Sequence, residues 1–144
     1  MFKFQRKLKF RAVRKDNADI QLLFDLLFMR PHNISHEAMP DFQNHAHFVM
    51  NAPYRAWYLI THEDEAIGTV YLKHDNSVGI NLTSQNGPEI AEIIDFVKTT
   101  HKPNEPIKSM VPNFFYVNFP SSASDAQSTM RELGYDEIQR SYKI

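Results

Sequence analysis

The fold of this chain is decided by residues 55–100, which read RAWYLITHEDEAIGTVYLKHDNSVGINLTSQNGPEIAEIIDFVKTT. Apolar and aromatic residues predict two strands here, Arg55–Thr61 and Ala66–Leu72. A turn at 74–77 leads to a third strand, Val78–Thr83. The polar loop 84–87 then opens a helix at Pro88, a residue that suits the first helical turn. A loop that ends at a helix N-terminus exposes backbone N–H groups and the positive end of the helix dipole, so this order predicts an anion pocket.

The composition of the 144 residues indicates one globular domain, residues 1–144, with one core. Apolar residues make up 42% and aromatic residues 12%, which argues against disorder. The absence of cysteine excludes disulfides, thiolate nucleophiles and cysteine-ligated zinc. The longest apolar run, Leu22–Met29, is too short to span a bilayer, and the first residues lack the apolar region of a signal peptide. We therefore predict a soluble, cytoplasmic protein with no membrane partner.

The net charge of -1 hides a basic beginning, because residues 1–15 hold seven of the 16 Lys and Arg residues and no acid. A basic segment can meet nucleic acid or anionic lipid. The alternation in Lys7–Ala12 favours another interpretation, in which the charges line the solvated face of an edge strand. We therefore expect no nucleic-acid partner.

The remaining elements follow from periodicity and capping residues. Strand Leu8–Val13 precedes a helix that Asp16 or Asn17 caps and that ends before Pro31. A second helix, Asp41–Met50, precedes the three strands, and the helix from Pro88 has an apolar face. After a Pro-rich connector we predict a strand at Phe114–Phe119, a helix from Ser124 or Asp125 to Gly134, and a last strand at Tyr135–Ile144.

The element order is therefore β-α-α-β-β-β-α-β-α-β. This order predicts an α+β fold with a mixed, mostly antiparallel sheet flanked by helices. The helix between Val78–Thr83 and Phe114–Phe119 makes these two strands a parallel pair, which we expect to diverge at their C-terminal ends. The predicted core residues are Leu23, Leu27, Trp57, Leu59, Ile67, Val70, Ile80, Ile93, Val97, Val117 and Leu133.

This order resembles the GNAT superfamily of acyl-CoA-dependent N-acyltransferases over about residues 10–144. Ala66–Leu72 resembles the third strand of that family, and Val78–Leu82 resembles the fourth, whose backbone holds the pantetheine arm. Phe115–Pro120 stands where the fifth strand separates from the fourth and opens the cofactor slot. Arg131–Tyr135, which reads RELGY, resembles the closing motif of the family.

The resemblance implies acetyl-CoA as co-substrate and a set of residues that bind it. Ile80, Asn81 and Leu82 on the fourth strand are expected to hold the pantetheine arm. The loop residues Gln85, Asn86 and Gly87 are expected at the pyrophosphate. Asn118 and Ser121 are expected to hydrogen-bond the cofactor where the fifth strand ends.

The pyrophosphate loop departs from the family pattern, which reads Arg/Gln-x-x-Gly-x-Gly/Ala. In the frame that starts at Gln85, Pro88 and Ile90 replace the two glycines. Pro88 contributes no N–H, and the Glu89 carboxylate is predicted where the phosphates would lie. Met130 stands where the family often has its tyrosine acid. An alternative function is therefore a catalytically degenerate GNAT-fold protein that acts as a binding or regulatory module.

Amine acetylation needs a base and a hydrogen-bond donor to the leaving thiolate. Asp75 and His74 lie just before the fourth strand, near where a GNAT base can act, although the same residues suit a hairpin turn. Tyr116 is a candidate proton donor, although a tyrosine in a strand also suits the core. The seven histidines show no metal-ligand spacing, so we predict no metal site.

The acceptor is expected to be a small-molecule amine. The section around Pro53–Ile60 resembles GNAT enzymes that acetylate amino sugars or similar small amines. Trp57, Tyr58 and Tyr71 suit the core, although one of them could line an acceptor pocket. The segment His32–Phe48 should cover the acceptor side with its histidines. The sequence leaves the acceptor, the acyl chain and the oligomeric state open.

Overall fold

A five-stranded sheet forms the centre of the computed structural model, which describes residues 6–29, 41–84 and 87–144. The strands are β1 (Leu8–Ala12), β2 (Ala56–His62), β3 (Glu65–Leu72), β4 (Ser77–Leu82) and β5 (Tyr116–Val117), and they lie in this order across the sheet. β1 to β4 pair antiparallel, whereas β4 and β5 pair parallel. The predicted mixed sheet and its parallel pair are confirmed.

Four helices follow the predicted order: α1 (Asn17–Phe28), α2 (Phe42–Asn51), α3 (Gly87–Thr100) and α4 (Ser124–Glu132). The Asp16 side chain caps α1 by accepting the N–H of Asp19, and Asp41 caps α2 in the same way. Gly134 follows α4 with φ of 85°, as a helix C-terminus of this kind requires. Among these helices, none is both long and apolar enough to cross a membrane.

The helices cover both faces of the sheet because successive strand residues point to opposite sides. On one face, Leu59 packs in a buried cluster with Leu23 of α1 and Val49 of α2. On the other face, Ile60 packs in a second cluster with Ile93 of α3 and Ala126 of α4. The α1/α2 layer and the α3/α4 layer therefore have separate cores on either side of β2.

Most of the predicted core is confirmed. Leu23, Leu59, Val70, Ile93 and Val97 are buried. Five further predicted residues are half-buried: Leu27, Trp57, Ile67, Ile80 and Val117. The prediction for Leu133 is wrong, since its side chain is 43% exposed. Leu133 is the C-cap of α4, whereas the buried residue of that helix is Ala126. The apolar contact of α4 with the sheet therefore comes from the earlier turns of the helix.

The prediction of a last strand at Tyr135–Ile144 is wrong for a single copy of the chain. These ten residues adopt no regular secondary structure and are exposed along their whole length. Alternating side chains favour extended backbone, but a strand also needs a neighbouring strand to pair with, and no described strand lies beyond β5. The fifth strand is also shorter than predicted, because its pairing with β4 is limited to Tyr116 and Val117.

A buried asparagine holds the connector 102–112 in place at the beginning of β4. Asn76 is fully buried, and its φ is 71°. Its amide nitrogen donates to the carbonyls of Asn104 and Pro112 at 3.1 and 2.8 Å, and its side-chain oxygen accepts the N–H of Asn104 at 2.6 Å. These hydrogen bonds bring the chain after α3 back to β4, where β5 begins.

We expect Ile93→Ala to lower the free energy of unfolding by roughly 2–5 kcal/mol, because the isoleucine side chain is completely buried against the sheet. Leu133→Ala is the matched control, with an expected change within about 0.5 kcal/mol because that leucine is exposed. Urea unfolding followed by circular dichroism measures both. Equal losses in the two variants would contradict the packing of α3 described here.

Candidate functional site

The parallel strands β4 and β5 separate soon after they meet. Their pairing consists of Ser77 with Tyr116 and Val78 with Val117, whereas β4 continues to Leu82. We call the space between Gly79–Leu82 and the chain after Val117 the fork. The Tyr116 N–H donates to the Asn76 carbonyl at 3.2 Å, so the alternation of the ladder directs the backbone N–H and C=O of Ile80 and Leu82 toward the fork.

A cavity of about 430 Å³ lies between the α1/α2 layer and the sheet, on the side of the fork. Its aromatic lining consists of Phe48, Tyr54, Trp57 and Tyr71, which we call the aromatic wall. Asn81 and Thr83 from the end of β4 also line the cavity. The cavity and the fork therefore share β4 as a common border.

Tyr71 lies across β4 at the point where the fork begins. A Cβ atom on Gly79 would come within 2.0–2.4 Å of the end of the Tyr71 ring, including its hydroxyl, so this close approach needs glycine. The Tyr54 ring stacks on the Tyr71 ring at 4.0 Å between centroids, and Trp57 contacts Tyr54 edge-on at 5.0 Å. The stack holds the Tyr71 hydroxyl over the first β4 residue that does not pair with β5.

His45 of α2 also lines the cavity, and it is a base that the sequence analysis did not single out. Its ring is buried, and Nε2 lies 3.2 Å from the carbonyl oxygen of Ile20. A carbonyl can only accept, so Nε2 carries the proton and Nδ1 is the basic nitrogen of the neutral ring. Burial lowers the pKa of His45 more than the Ile20 hydrogen bond raises it. The imidazole is therefore neutral near pH 7.

Of the predicted catalytic residues, Asp75 and Tyr116 meet at the closed end of the fork, and His74 precedes Asp75 in the same turn. Asp75 accepts hydrogen bonds from the N–H and hydroxyl of Ser77 at 3.0 and 2.6 Å and from the Tyr116 hydroxyl at 3.3 Å. Burial by itself raises the pKa of Asp75, but the Ser77 hydrogen bonds hold it below its ordinary value. The carboxylate is thus a weak base that closes a turn.

These three residues are not among the described residues that line the cavity. His74 is exposed, and its backbone carbonyl accepts a hydrogen bond from Asn104 at 3.1 Å. Burial and the Asp75 charge raise the pKa of Tyr116, so its hydroxyl stays protonated. Their catalytic roles stay predictions, while the geometry supplies His45 and Tyr71 as residues at the cavity.

The predicted cofactor residues surround the fork in part. Ile80 and Leu82 direct backbone groups into it, and the side chain of Asn81 lines the cavity. Asn118 and Ser121 are exposed beyond β5, on the other arm of the fork. Gln85 and Asn86 lie outside the described residues, as do His32 and His36.

Gly87 begins α3 beside α4. A Cβ atom on Gly87 would lie 3.0 Å from the Thr129 hydroxyl, so this side of α3 faces α4. Glu89 lies two residues later, about 200° around the helix, and faces away from α4. Burial raises the pKa of Glu89, and the nearby Glu92 charge adds to that rise while His62 opposes it. The place of the Glu89 carboxylate at the phosphates of a bound cofactor stays a prediction.

No protein-family model and no curated protein matches the sequence. Two solved structures have the same fold. A possible acetyltransferase from Clostridium difficile 630 superposes with a TM-score of 0.56 at 11% identity, over 96% of this chain and 97% of that chain. The dodecameric spermidine N-acetyltransferase from Vibrio cholerae superposes with a TM-score of 0.56 at 14% identity, over 92% of this chain and 81% of that chain. These likenesses confirm the predicted fold class.

Acidification should destabilise the protein partly through His45. Because burial lowers the pKa of this imidazole in the folded state, the unfolded chain binds the proton more tightly. The contribution of His45 to the free energy of unfolding is fully present above its unfolded-state pKa of about 6.5. It is lost as the pH falls through the lower pKa of the folded state. We expect a smaller loss of unfolding free energy between pH 7 and pH 5 in His45→Asn than in the unsubstituted protein.

The matched control is His47→Asn, on the exposed side of the same helix. This variant should keep the pH dependence of the unsubstituted protein, measured by urea unfolding at each pH. The same pH dependence in both variants would contradict a buried, neutral His45.

Proposed function

We propose that this protein is an N-acetyltransferase that moves an acetyl group from acetyl-CoA to the amine of a small molecule. The observation that carries the proposal is the common border of the fork and the cavity. A thioester that enters between β4 and β5 at Gly79 comes directly beside a cavity large enough for a small acceptor. The fold shared with structures described as acetyltransferases supports the same conclusion.

The unpaired edge of β4 suits the pantetheine arm of acetyl-CoA. An extended chain with amide groups can pair with a strand edge through main-chain hydrogen bonds, and Ile80 and Leu82 offer these groups in the fork. The phosphates would then lie toward the loop at 84–87 and the first turn of α3, where N–H groups and the helix dipole favour an anion. A cytoplasmic location, where acetyl-CoA is used, stays a prediction.

His45 and Tyr71 are the residues that we infer to serve the chemistry. The amine nitrogen forms a bond to the carbonyl carbon, and the carbon–sulfur bond breaks. His45 Nδ1 accepts the proton that the amine loses, directly or through a water molecule. The Tyr71 hydroxyl, held over Gly79, donates a hydrogen bond to the developing negative charge on oxygen or sulfur. The proton that His45 accepted passes to the leaving thiolate through water, which gives the free thiol of coenzyme A and returns His45 to its neutral form.

The cavity favours a small monoamine over a polyamine. Its described lining contains Lys73, Asn44 and His45 but no carboxylate that would hold a second ammonium group. The aromatic wall offers flat apolar surface, and the amides of Asn44 and Asn81 offer hydrogen bonds. An amino sugar, which the sequence resemblance suggests, has both an apolar ring face and hydroxyl groups.

A binding or regulatory module without acetyl transfer is the second candidate. The observation that favours it is Pro88 in the first turn of α3, which removes one of the N–H groups available to a pyrophosphate. Such a module would bind acetyl-CoA or coenzyme A without releasing thiol.

We expect acetyl-CoA to stabilise the protein by about 2.7 kcal/mol at one hundred times its dissociation constant. Thermal unfolding with and without acetyl-CoA measures binding, and release of free thiol with a panel of amines measures transfer. The chain has no cysteine, so it adds no background to thiol detection. Binding without thiol release would favour the module. The absence of both binding and thiol release would contradict both functions.

Tyr71→Phe should lower kcat by about a hundredfold, the order of magnitude lost when one donor to a developing charge is removed. The KM for acetyl-CoA should change little, because the aromatic ring and its stacking on Tyr54 remain. Tyr54→Phe is the matched control, since it removes the hydroxyl of the neighbouring ring and should leave kcat within about twofold. Equal kcat values for the two variants would contradict the role of Tyr71.

A further inference from the structure

The segment 136–144 has the side-chain pattern of a strand but no partner. Ile138, Tyr142 and Ile144 stand at even positions, so in an extended backbone they would share one side with Arg140. All three are exposed, and the Tyr142 side chain is 80% exposed. An extended segment with large apolar side chains on one side is typical of a strand that packs against another part of a protein.

The described contacts of this segment hold it only weakly to the rest of the protein. Tyr135, just before it, is held on α3 by Lys98, whose Nζ lies 3.3 Å from the Tyr135 hydroxyl. Beyond Tyr135, the described hydrogen bonds and ion pair stay within the segment, as in the exposed pair of Arg140 and Glu137 at 2.9 Å. The only described interaction with a helix is the charge of Arg131 acting on Glu137. Ordering nine residues costs conformational entropy that exposed ion pairs of this kind do not offset. A partner strand would supply the missing hydrogen bonds.

The free edge of β5 is the place in the fold that accepts such a strand. The other sheet edge, β1, carries Lys9 and Arg11, and the Glu92 carboxylate accepts the N–H groups of Lys7 and Leu8. Charged residues on an edge oppose the addition of a strand. Near β5 the chain reads Tyr116, Val117 and Asn118, without charge.

We propose that two copies of this chain form a dimer in which the segment 136–144 of each copy adds as a strand to β5 of the other. Each copy offers one strand and one free edge, so a two-fold axis satisfies both pairs at once. In a single copy the segment does not pair with its own β5, although nine extended residues span about 30 Å.

The side chains of the segment add apolar area to these hydrogen bonds. A buried aromatic side chain covers about 150–250 Å², so the two copies of Tyr142 alone supply about 300–500 Å². A stable interface buries about 1,200–2,000 Å² in total. The two copies each of Ile138 and Ile144, together with the backbone of the two segments, supply the remainder.

Light scattering at tens of micromolar protein tests the assembly. The proposal expects a mass of twice 16.8 kDa for the full chain and of one copy for a chain that ends at Tyr135. A full chain that stays monomeric, or a shortened chain that still dimerises, would overturn it. Circular dichroism of the shortened chain checks that it is folded.

A point substitution tests the same interface without shortening the chain. Tyr142→Lys should weaken dimerisation at least tenfold, because it places a charge among the apolar contacts. Met110→Lys is the matched control, since Met110 is 76% exposed in the connector and lies outside the segment. Equal dissociation constants for the two variants would count against the segment as the interface.

Disulfide formation tests which edge is used, because the chain has no cysteine of its own. Asn118→Cys protein is refolded together with proteins that carry Gln139→Cys, Ser141→Cys or Lys143→Cys, and the mixtures are oxidised. At least one mixture should give a cross-link between the two different chains. Cross-linking of the segment variants to Lys9→Cys protein instead would overturn the exchange at β5. A disulfide within one chain, in a protein that carries Asn118→Cys together with one of the three segment substitutions, would overturn it as well.

Discussion

The parallel contact of β4 with β5 is the constraint on which the rest of the site depends. A helix that joins two neighbouring strands, as α3 does, makes the strands parallel. The position of β5 along β4 is set at Asn76, whose side chain binds Asn104 and Pro112 at the start of β4. The strands therefore meet at the beginning of β4 and not at its end. The remainder of β4 is left with an unpaired edge, and that edge is the fork.

The alternation of β4 decides what lies on each side of that edge. The backbone N–H and C=O groups of Ile80 and Leu82 point to the fork, while Gly79 and the Asn81 side chain lie on the side of the α1/α2 layer. Gly79 has no side chain to hold the neighbouring tyrosine away, so the Tyr71 ring lies on the backbone there. The hydroxyl of a β3 residue thus lies over the backbone of β4. The same four residues, Gly79–Leu82, therefore border both the cavity and the fork.

The sequence predicted the elements well where the determining contacts are local. Asp16, Asp41 and Gly134 act within one turn of their helices, and alternation along β2 and β3 needs no distant partner. The site was harder to predict. Burial keeps the His45 imidazole neutral, and the Ile20 carbonyl 25 residues away holds its proton on Nε2. Tyr71 matters because of Gly79 on the next strand. The place of Asp75 before β4 suits both a base and a turn residue, and its hydrogen bonds with Ser77 are those of a turn.

The basic beginning of the chain has a structural explanation in the contacts of β1 with the helices. The Arg11 guanidinium pairs with Asp19 of α1 at 2.8 Å, and Arg6 pairs with Asp95 of α3 at 2.9 Å. The buried Glu92 accepts backbone N–H groups at the start of the same strand. Both helical layers are thereby fastened to one edge of the sheet, and that edge is occupied. The open edge of the described sheet is on the opposite side, at β5, beyond the arm of the fork that the chain after Val117 forms.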